Sequence, residues 1–343
     1  MTSHDWRFLL FALGLTGLAG AQGLKPMHNP AATAQGAAMI ALSPQVPQSG
    51  SASGGTYTMR VDADEVVLNC TVLDSKGNLV NNLTKEDFKV SEDKIPQKVI
   101  SLQHQDTPVS IGLLVDNSGS MRSKRAALTK AALDLIRSSN PADETFVMNF
   151  SDQIYLDQDF TADLSLLQKG LSHVNASGGT AWYDTIVQAS EKMGKSAQRS
   201  RHVLIVITDG EDNASRLSLD NAIHSVQDME GPIVYSIGLL FDGDSGRGEV
   251  HHARRDLETL SKETGGIAFF PKSLQDIDAV AAEVARDIRN QYALAYHSTR
   301  TRTPGYHTVV VQAHHEETGK LVVHTRAGYL SRGASEQDRK PHE

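Results

Sequence analysis

Five side chains that carry oxygen donors stand where apolar runs give way to loops. The run Ile111-Gly-Leu-Leu-Val115 ends in Asp116-Asn-Ser-Gly-Ser120, and the run Val203-Leu-Ile-Val-Ile207 ends in Thr208-Asp209-Gly210. Between them lies Ser177-Gly-Gly-Thr180. Asp116, Ser118, Ser120, Thr180 and Asp209 offer hard oxygens only, the ligand type that magnesium, manganese and calcium prefer. The chemistry this implies is cation binding. A metal beside Ser118 could also suggest hydrolysis, but the chain has no Gly-x-Ser-x-Gly elbow and no phosphate-binding loop. The site segments contain no histidine to act as a base.

These residues need a frame that brings three distant segments together. From Val109 the sequence alternates short apolar runs with helical periods. Strands are expected at 109–115, 144–150, 203–208, 233–239 and 267–270. Helices are expected over Arg122–Ser139, where Leu128, Ala131, Ala132, Leu135 and Ile136 share a face, and over 181–192, 218–229, 253–264 and 274–290. Continuous apolar strands between helices predict an α/β fold: a doubly wound, mostly parallel sheet covered on both faces. A hairpin near Gln153–Phe160 would add an antiparallel edge. Such sheets bind ligands beyond the carboxyl ends of their strands, where Asp116 and Asp209 fall. Residues 116, 118 and 120 alternate, so an extended loop would aim their oxygens one way. The two glycines before Thr180 allow close backbone approach.

The rest of the chain divides by composition. Phe8–Leu18 is an apolar run after Arg7, followed by the small-x-small triplet Ala19-Gly-Ala21, so residues 1–21 read as a cleaved export signal. Residues 22–55, rich in Ala, Pro, Gln, Ser and Gly, read as a disordered linker. Residues 56–105 form an N-terminal β segment of four or five short strands, and 290–331 a C-terminal one with three. Each is small for an independent core. The two are therefore expected to pair into one accessory β-sandwich-like domain, with residues 106–289 inserted between them and a polar tail over 332–343. No membrane span is expected after signal cleavage. The mature protein would be exported, periplasmic or extracellular. A net charge of −8 argues against a nucleic-acid partner. The single cysteine, Cys70, cannot form an internal disulfide and reads as a small buried residue in a strand.

The order and strand-end contexts of the five oxygens, with Gly179-Thr-Ala-Trp-Tyr-Asp184 and Ile207-Thr-Asp-Gly210, resemble the von Willebrand factor A-type domain over roughly 105–289. The five match its metal-ion-dependent adhesion site, Asp-x-Ser-x-Ser then Thr then Asp. The flanks are similar to those of a bacterial exported subgroup best known from Acidobacteria, through Leu83-Thr-Lys-Glu-Asp-Phe-Lys-Val-Ser-Glu-Asp93. The resemblance implies a Rossmann-like fold and a bound Mg2+, with Mn2+ or Ca2+ as alternatives. Ser118 and Ser120 would bind the ion directly, and Thr180 directly or through water. Asp116 and Asp209 would act largely through bridging waters or hydrogen bonds. One coordination position would stay open for an Asp or Glu of a partner protein. Asp184 would stand behind the ligands or serve as a helix-start carboxylate.

The expected function is thus a non-catalytic protein-binding or adhesion module. Two alternatives stand beside it: a metal-rigidified scaffold whose β domain binds the partner, and a magnesium-dependent hydrolase. Other candidates read as surface. His251-His252 and His314-His315 lack further ligands at metal-site spacing. The stretch 242–255 reads as a loop, Glu211-Asp212 as an acidic loop extension, and Arg122–Arg125 as an exposed helix face.

Overall fold

The computed structural model describes residues 64–104, 106–172, 177–228, 231–241, 246–298, 300, 303–315 and 319–333. The export signal, the linker and the tail from 334 onward lie outside the described residues. Among the described residues no helix is long and apolar enough to cross a membrane.

The first flank supplies β1 (Asp64–Leu73), β2 (Phe88–Glu92), β3 (Ile95–Gln97) and β4 (Val99–Gln103). The central segment runs β5 (Val109–Asp116), α1 (Arg125–Arg137), β6 (Glu144–Phe150), β7 (Ile154–Thr161), α2 (Leu164–Ser172), α3 (Trp182–Ser196) and β8 (Arg201–Thr208). It continues with α4 (Leu219–Val226), β9 (Ile233–Gly238), α5 (Arg247–Thr264), β10 (Ala268–Phe269) and α6 (Ile277–Arg289). The second flank supplies β11 (Tyr292–Ser298), β12 (Gly305–His315), β13 (Gly319–Lys320), β14 (Val322–His324) and β15 (Gly328–Ser331).

The central sheet has the order β10-β9-β8-β5-β6-β7, parallel except for β7, which runs antiparallel to β6. Its strands β5, β6 and β9 are buried at every residue, as expected of a sheet covered on both faces. On one face Ile111, Leu113 and Val115 pack with Leu128, Leu135, Leu171 and Val284 from α1, α2 and α6. On the other, Leu114, Phe146 and Val206 pack with Trp182, Ile186, Ile223 and Leu257 from α3, α4 and α5. From β5 the chain steps to β6 on one side, and from β8 to β9 on the other. Strand order therefore reverses between β5 and β8, the kind of switch point at whose carboxyl ends such sheets bind ligands.

The flanks interleave. One sheet has the order β14-β1-β11-β4 and the other β13-β12-β2-β3, with β15 beside β12, so each mixes strands from both ends of the chain. Their facing sides share a core that includes Leu68, Cys70, Phe88, Val90, Tyr292, Leu294, Tyr296 and Val311. The central segment leaves after β4 and returns into β11, which are paired neighbours. The stretch Leu83–Asp93 ties the halves together. Leu83 N–H donates to Tyr292 Oη at 3.1 Å. Glu92 accepts from Tyr329 at 2.5 Å and Ser298 at 2.9 Å, and Asp93 accepts from Thr308 N–H at 3.0 Å.

Several boundaries depart from the sequence reading. The helix expected from Arg122 begins at Arg125, after a 3-10 turn over Gly119–Ser123. The loop expected over 242–255 becomes α5 from Arg247, because Gly246 and Glu249 form a helix start. Helix α2 was not anticipated, and the second flank has five described strands where three were expected. Cys70 is fully buried, and burial pushes its thiol up to about 12. It behaves as a core residue and is not a reactive thiol.

Candidate functional site

Strand β5 delivers Asp116 to this switch point and β8 delivers Asp209; both are buried. Asp116 faces inward. Its Oδ1 accepts the Ser118 N–H at 2.7 Å and its Oδ2 accepts the Thr208 hydroxyl at 2.6 Å. It thereby pins the loop after β5 to the end of β8. The backbone is extended at Ser118 and then turns into the 3-10 segment, so the expected straight alternation stops there. That turn brings Ser120 back beside Ser118, with their hydroxyl oxygens 3.0 Å apart. Ser120 Oγ donates to Asp209 Oδ1 at 2.8 Å. Ser120 therefore touches both Ser118 and Asp209 and joins two segments far apart in sequence.

Thr180 is the fourth. It is buried beside the same loop, and a β-carbon built on Gly210 would lie 3.9 Å from its hydroxyl. Two glycines make its approach possible. Gly178 has φ +86°, and a β-carbon there would fall 2.3 Å from Asp152 Oδ1; one on Gly179 would fall 2.6 Å from Asn213 Oδ1. Asn213 accepts the Thr180 N–H at 2.9 Å, while the Asn213 and Ala214 amides donate to the Thr180 carbonyl at 3.0 and 3.2 Å. The loop after β8 is thus laced onto the start of α3. Asp212 contributes by accepting the Tyr183 N–H at 2.9 Å. Asp184, in the first turn of α3, accepts the Arg216 and Leu217 amides, each at 3.0 Å. It is a helix-start carboxylate that holds the far end of this loop.

The electrostatics differ most from the sequence reading. The 122–125 stretch is not an exposed basic face: Arg122 and Ser123 are exposed, but Lys124 and Arg125 are buried. Lys124 Nζ lies 2.7 Å from Asp209 Oδ2 and 5.4 Å from the centre of the Phe241 ring. Arg125 donates to Leu171 O at 2.7 Å, Asn149 Oδ1 at 3.2 Å and the Asp116 carbonyl at 3.5 Å. Both turn inward because the 3-10 segment advances the chain by a different angle from an α-helix, and each meets acceptors there that offset the cost of burying its charge. Burial also pushes the Asp116 carboxyl up to about 6; hydrogen bonds from Thr208 and Ser118 oppose the shift, and the charge of Asp209 adds to it.

Donor spacing tests whether a cation fits. Neighbouring oxygens around an octahedral magnesium, with bonds of about 2.0–2.1 Å, stand about 2.8–3.0 Å apart, whereas calcium bonds of about 2.3–2.6 Å spread them to about 3.3–3.7 Å. The 3.0 Å and 2.8 Å separations around Ser120 are hydrogen-bond lengths, and an octahedral magnesium could replace those protons with little movement of the oxygens. Ser118, Ser120, Asp209 and Thr180 could hold it, with Asp116 bracing them from behind. Among the described residues no group of three or more His, Cys, Asp or Glu forms another metal cluster, the two histidine pairs included. Sequence reading missed Thr208, Asn213 and Lys124. The first two sit next to recognised residues, and the lysine was hidden in an apparent surface charge run.

Residues 111–211 match the family model of the von Willebrand factor type A domain, and the chain contains a domain of that type. Solved structures are similar to it at low identity. A von Willebrand factor type A protein from Catenulispora acidiphila is 12% identical with a TM-score of 0.46, over 81% of this chain and 76% of that one. The vWF domain of the type V pili tip protein Mfa5 from Porphyromonas gingivalis is 12% identical with a TM-score of 0.42, over 53% of this chain and 95% of that one. An aerotolerance-related membrane protein from Bacteroides fragilis is 17% identical with a TM-score of 0.43, over 52% and 98%. Comparison with curated proteins returns no match.

Proposed function

We propose that the chain is an exported, non-catalytic binding protein whose central domain holds Mg2+ at Ser118, Ser120, Thr180 and Asp209, supported by Asp116, and captures an acidic side chain of a partner protein. The observation that carries this reading is the contact of the Ser120 oxygen with those of Ser118 and Asp209, at the switch point of the sheet. The bound ion would supply an electrophilic position for a carboxylate, since a site rich in neutral hydroxyls leaves much of its charge unneutralised. The chain's own part is to orient the oxygens. Asp116 fixes the Ser118 loop, the Asn213 lacing fixes Thr180, and the turn over 119–123 presents Ser120 at the exposed mouth.

Two features weigh against the alternatives. Direct hydrogen bonds already join the loops to one another, which leaves an ion less to add to their rigidity. Asp209 has both carboxylate oxygens engaged, Oδ1 by the Ser120 hydroxyl and Oδ2 by Lys124, so neither is placed to take a proton from a water in a hydrolase. Export is supported by the signal-like residues 1–21.

The test is a pull-down from the envelope fraction of the producing cell with the immobilised protein. Capture should require magnesium and be lost in Ser118→Ala, whose circular dichroism spectrum stays that of the wild type. Equal capture in excess chelator would overturn the reading.

A further inference from the structure

Lys124 is a cation placed inside a proposed cation site. Its side chain is 5% exposed and that of Asp209 1%, and the two meet at 2.7 Å. An ion pair this deeply buried is not incidental, because removing an ammonium from water costs several kcal/mol unless a partner charge repays it. The pair also uses the carboxylate that faces Ser120: Oδ1 accepts the serine while Oδ2 accepts the lysine. Arg125 is buried on the inner side, against the Asp116 carbonyl. Asp209 is therefore matched by the Lys124 cation, while Arg125, the next residue, faces the charges of both Asp116 and Asp157. Of the other nearby acids, Asp152 is exposed, and Asp212 is engaged with the Tyr183 and Ser215 amides.

We propose that Lys124 is a tethered counter-cation that competes with the divalent ion for Asp209, keeping metal affinity low and making a partner's carboxylate the group that restores charge balance. The inference rests on the magnesium-binding reading above. A dication entering beside Asp209 meets a carboxylate whose charge is already matched by a buried ammonium. Either Lys124 moves off Asp209 or an anion arrives with the metal; both couple metal retention to an acidic ligand. The thermodynamic consequence is reciprocal: whatever the ligand adds to metal affinity, the metal adds to ligand affinity. The position of Lys124 at the junction of the 3-10 turn and α1, with its N–H bonded to Met121 O at 2.9 Å, places any displacement on the segment that carries Ser120.

The experiment titrates MgCl2 into the intact protein by calorimetry, for the wild type, Lys124→Met, Lys124→Gln and Ser118→Ala, each with and without saturating acetate as the carboxylate probe. Removing the charge should tighten magnesium binding on the order of tenfold or more, and acetate should strengthen binding in the wild type more than in Lys124→Met. Should neither variant fold, the wild-type lysine ammonium resonances provide a second measurement, and the buried Lys124 signal should shift and lose solvent protection as magnesium saturates. The inference is overturned if the wild type binds magnesium through Ser118 while both lysine variants bind no more tightly, or if the Lys124 signal is unmoved at saturation. If the wild type binds no magnesium, or Ser118→Ala binds as well as the wild type, the metal site itself falls, and the inference with it.

Discussion

The two ends of the central sheet bury similar groups and use them oppositely. At the carboxyl ends of the strands, Asp116, Asp209, Lys124 and Arg125 gather beneath serine hydroxyls, and Ser120 is open to solvent. At the amino ends, Arg201 opens β8 and donates to Gln291 Oε1 at 2.6 Å and Ile288 O at 2.9 Å. Beside it Tyr235 donates to Asp287 at 2.5 Å, and Gln291 donates to Tyr235 at 2.9 Å and to Thr71 of β1 at 3.4 Å. This second network is enclosed on every side and fastens the inserted domain to the flanking sheets. Its hydroxyls, on Tyr235 and Thr71, are all buried, whereas at the first end the Ser120 hydroxyl stands on an exposed turn. Carboxylates, cations and hydroxyls act as glue where they are sealed and are offered to solvent where one wall is missing.

The largest expected effect breaks the sealed end. Arg201→Met leaves the Gln291 and Ile288 acceptors without their donor in a buried setting and should cost about 3 kcal/mol, measured by urea unfolding. The magnesium-dependent gain in Tm should persist, because the opposite end is untouched. Loss of that gain would show that the ends are one cooperative unit, and the contrast would fail.

A smaller effect sharpens the comparison through pH. Burial holds the carboxyls of both Asp116 and Asp287 up to about 6, above their unfolded value. Between roughly pH 4 and pH 6 the folded protein then retains protons that the unfolded chain has released, so stability rises as pH falls from 7 through that window. His307, held up by Asp93, adds to the rise, and His324, held down by burial, opposes it within the same range, whereas carboxylates held low, such as Asp93 and Asp159, oppose it only below the window. Magnesium-free thermal melts should show Tm climbing by a few degrees from pH 7 to pH 5. Asp116→Asn and Asp287→Asn should each flatten part of the climb. Saturating magnesium should suppress the Asp116 part and leave the Asp287 part, because only one of the two carboxylates serves the ion.

The sheet and the five oxygens were readable because they follow from local pattern. A buried run such as Val109–Val115 has no polar residue to satisfy at its faces except Ser110, and it ends at its first charge. The interleaving of the flanks was inferred from their size alone, and the reason for Glu92-Asp93 emerges only from its cross-chain partners Tyr329, Ser298 and Thr308. Lys124 could not be read. Three basic residues within 122–125 look like a solvated face, and only the phase change from 3-10 turn to α-helix turns two of them inward. The short helix α2 was hidden because it presents only Leu167, Gly170 and Leu171 to the core.

The smallest effect concerns Asp184, the residue the sequence placed beside the ligands. Its two oxygens hold the Arg216 and Leu217 amides at the far end of the loop after β8, whereas Thr180 is held through Asn213 at the near end. Asp184→Asn keeps one acceptor and turns the other into a donor facing an amide, which should cost about 0.5–1.5 kcal/mol by urea unfolding. Calorimetric magnesium affinity should stay within a factor of about two, since the near end keeps its own bonds. If affinity fell as far as in Ser118→Ala, strain at residues 216–217 would be reaching Thr180 and Asp209, and Asp184 would belong to the open end of the sheet after all. The measurement therefore decides where the open end stops and the glue begins.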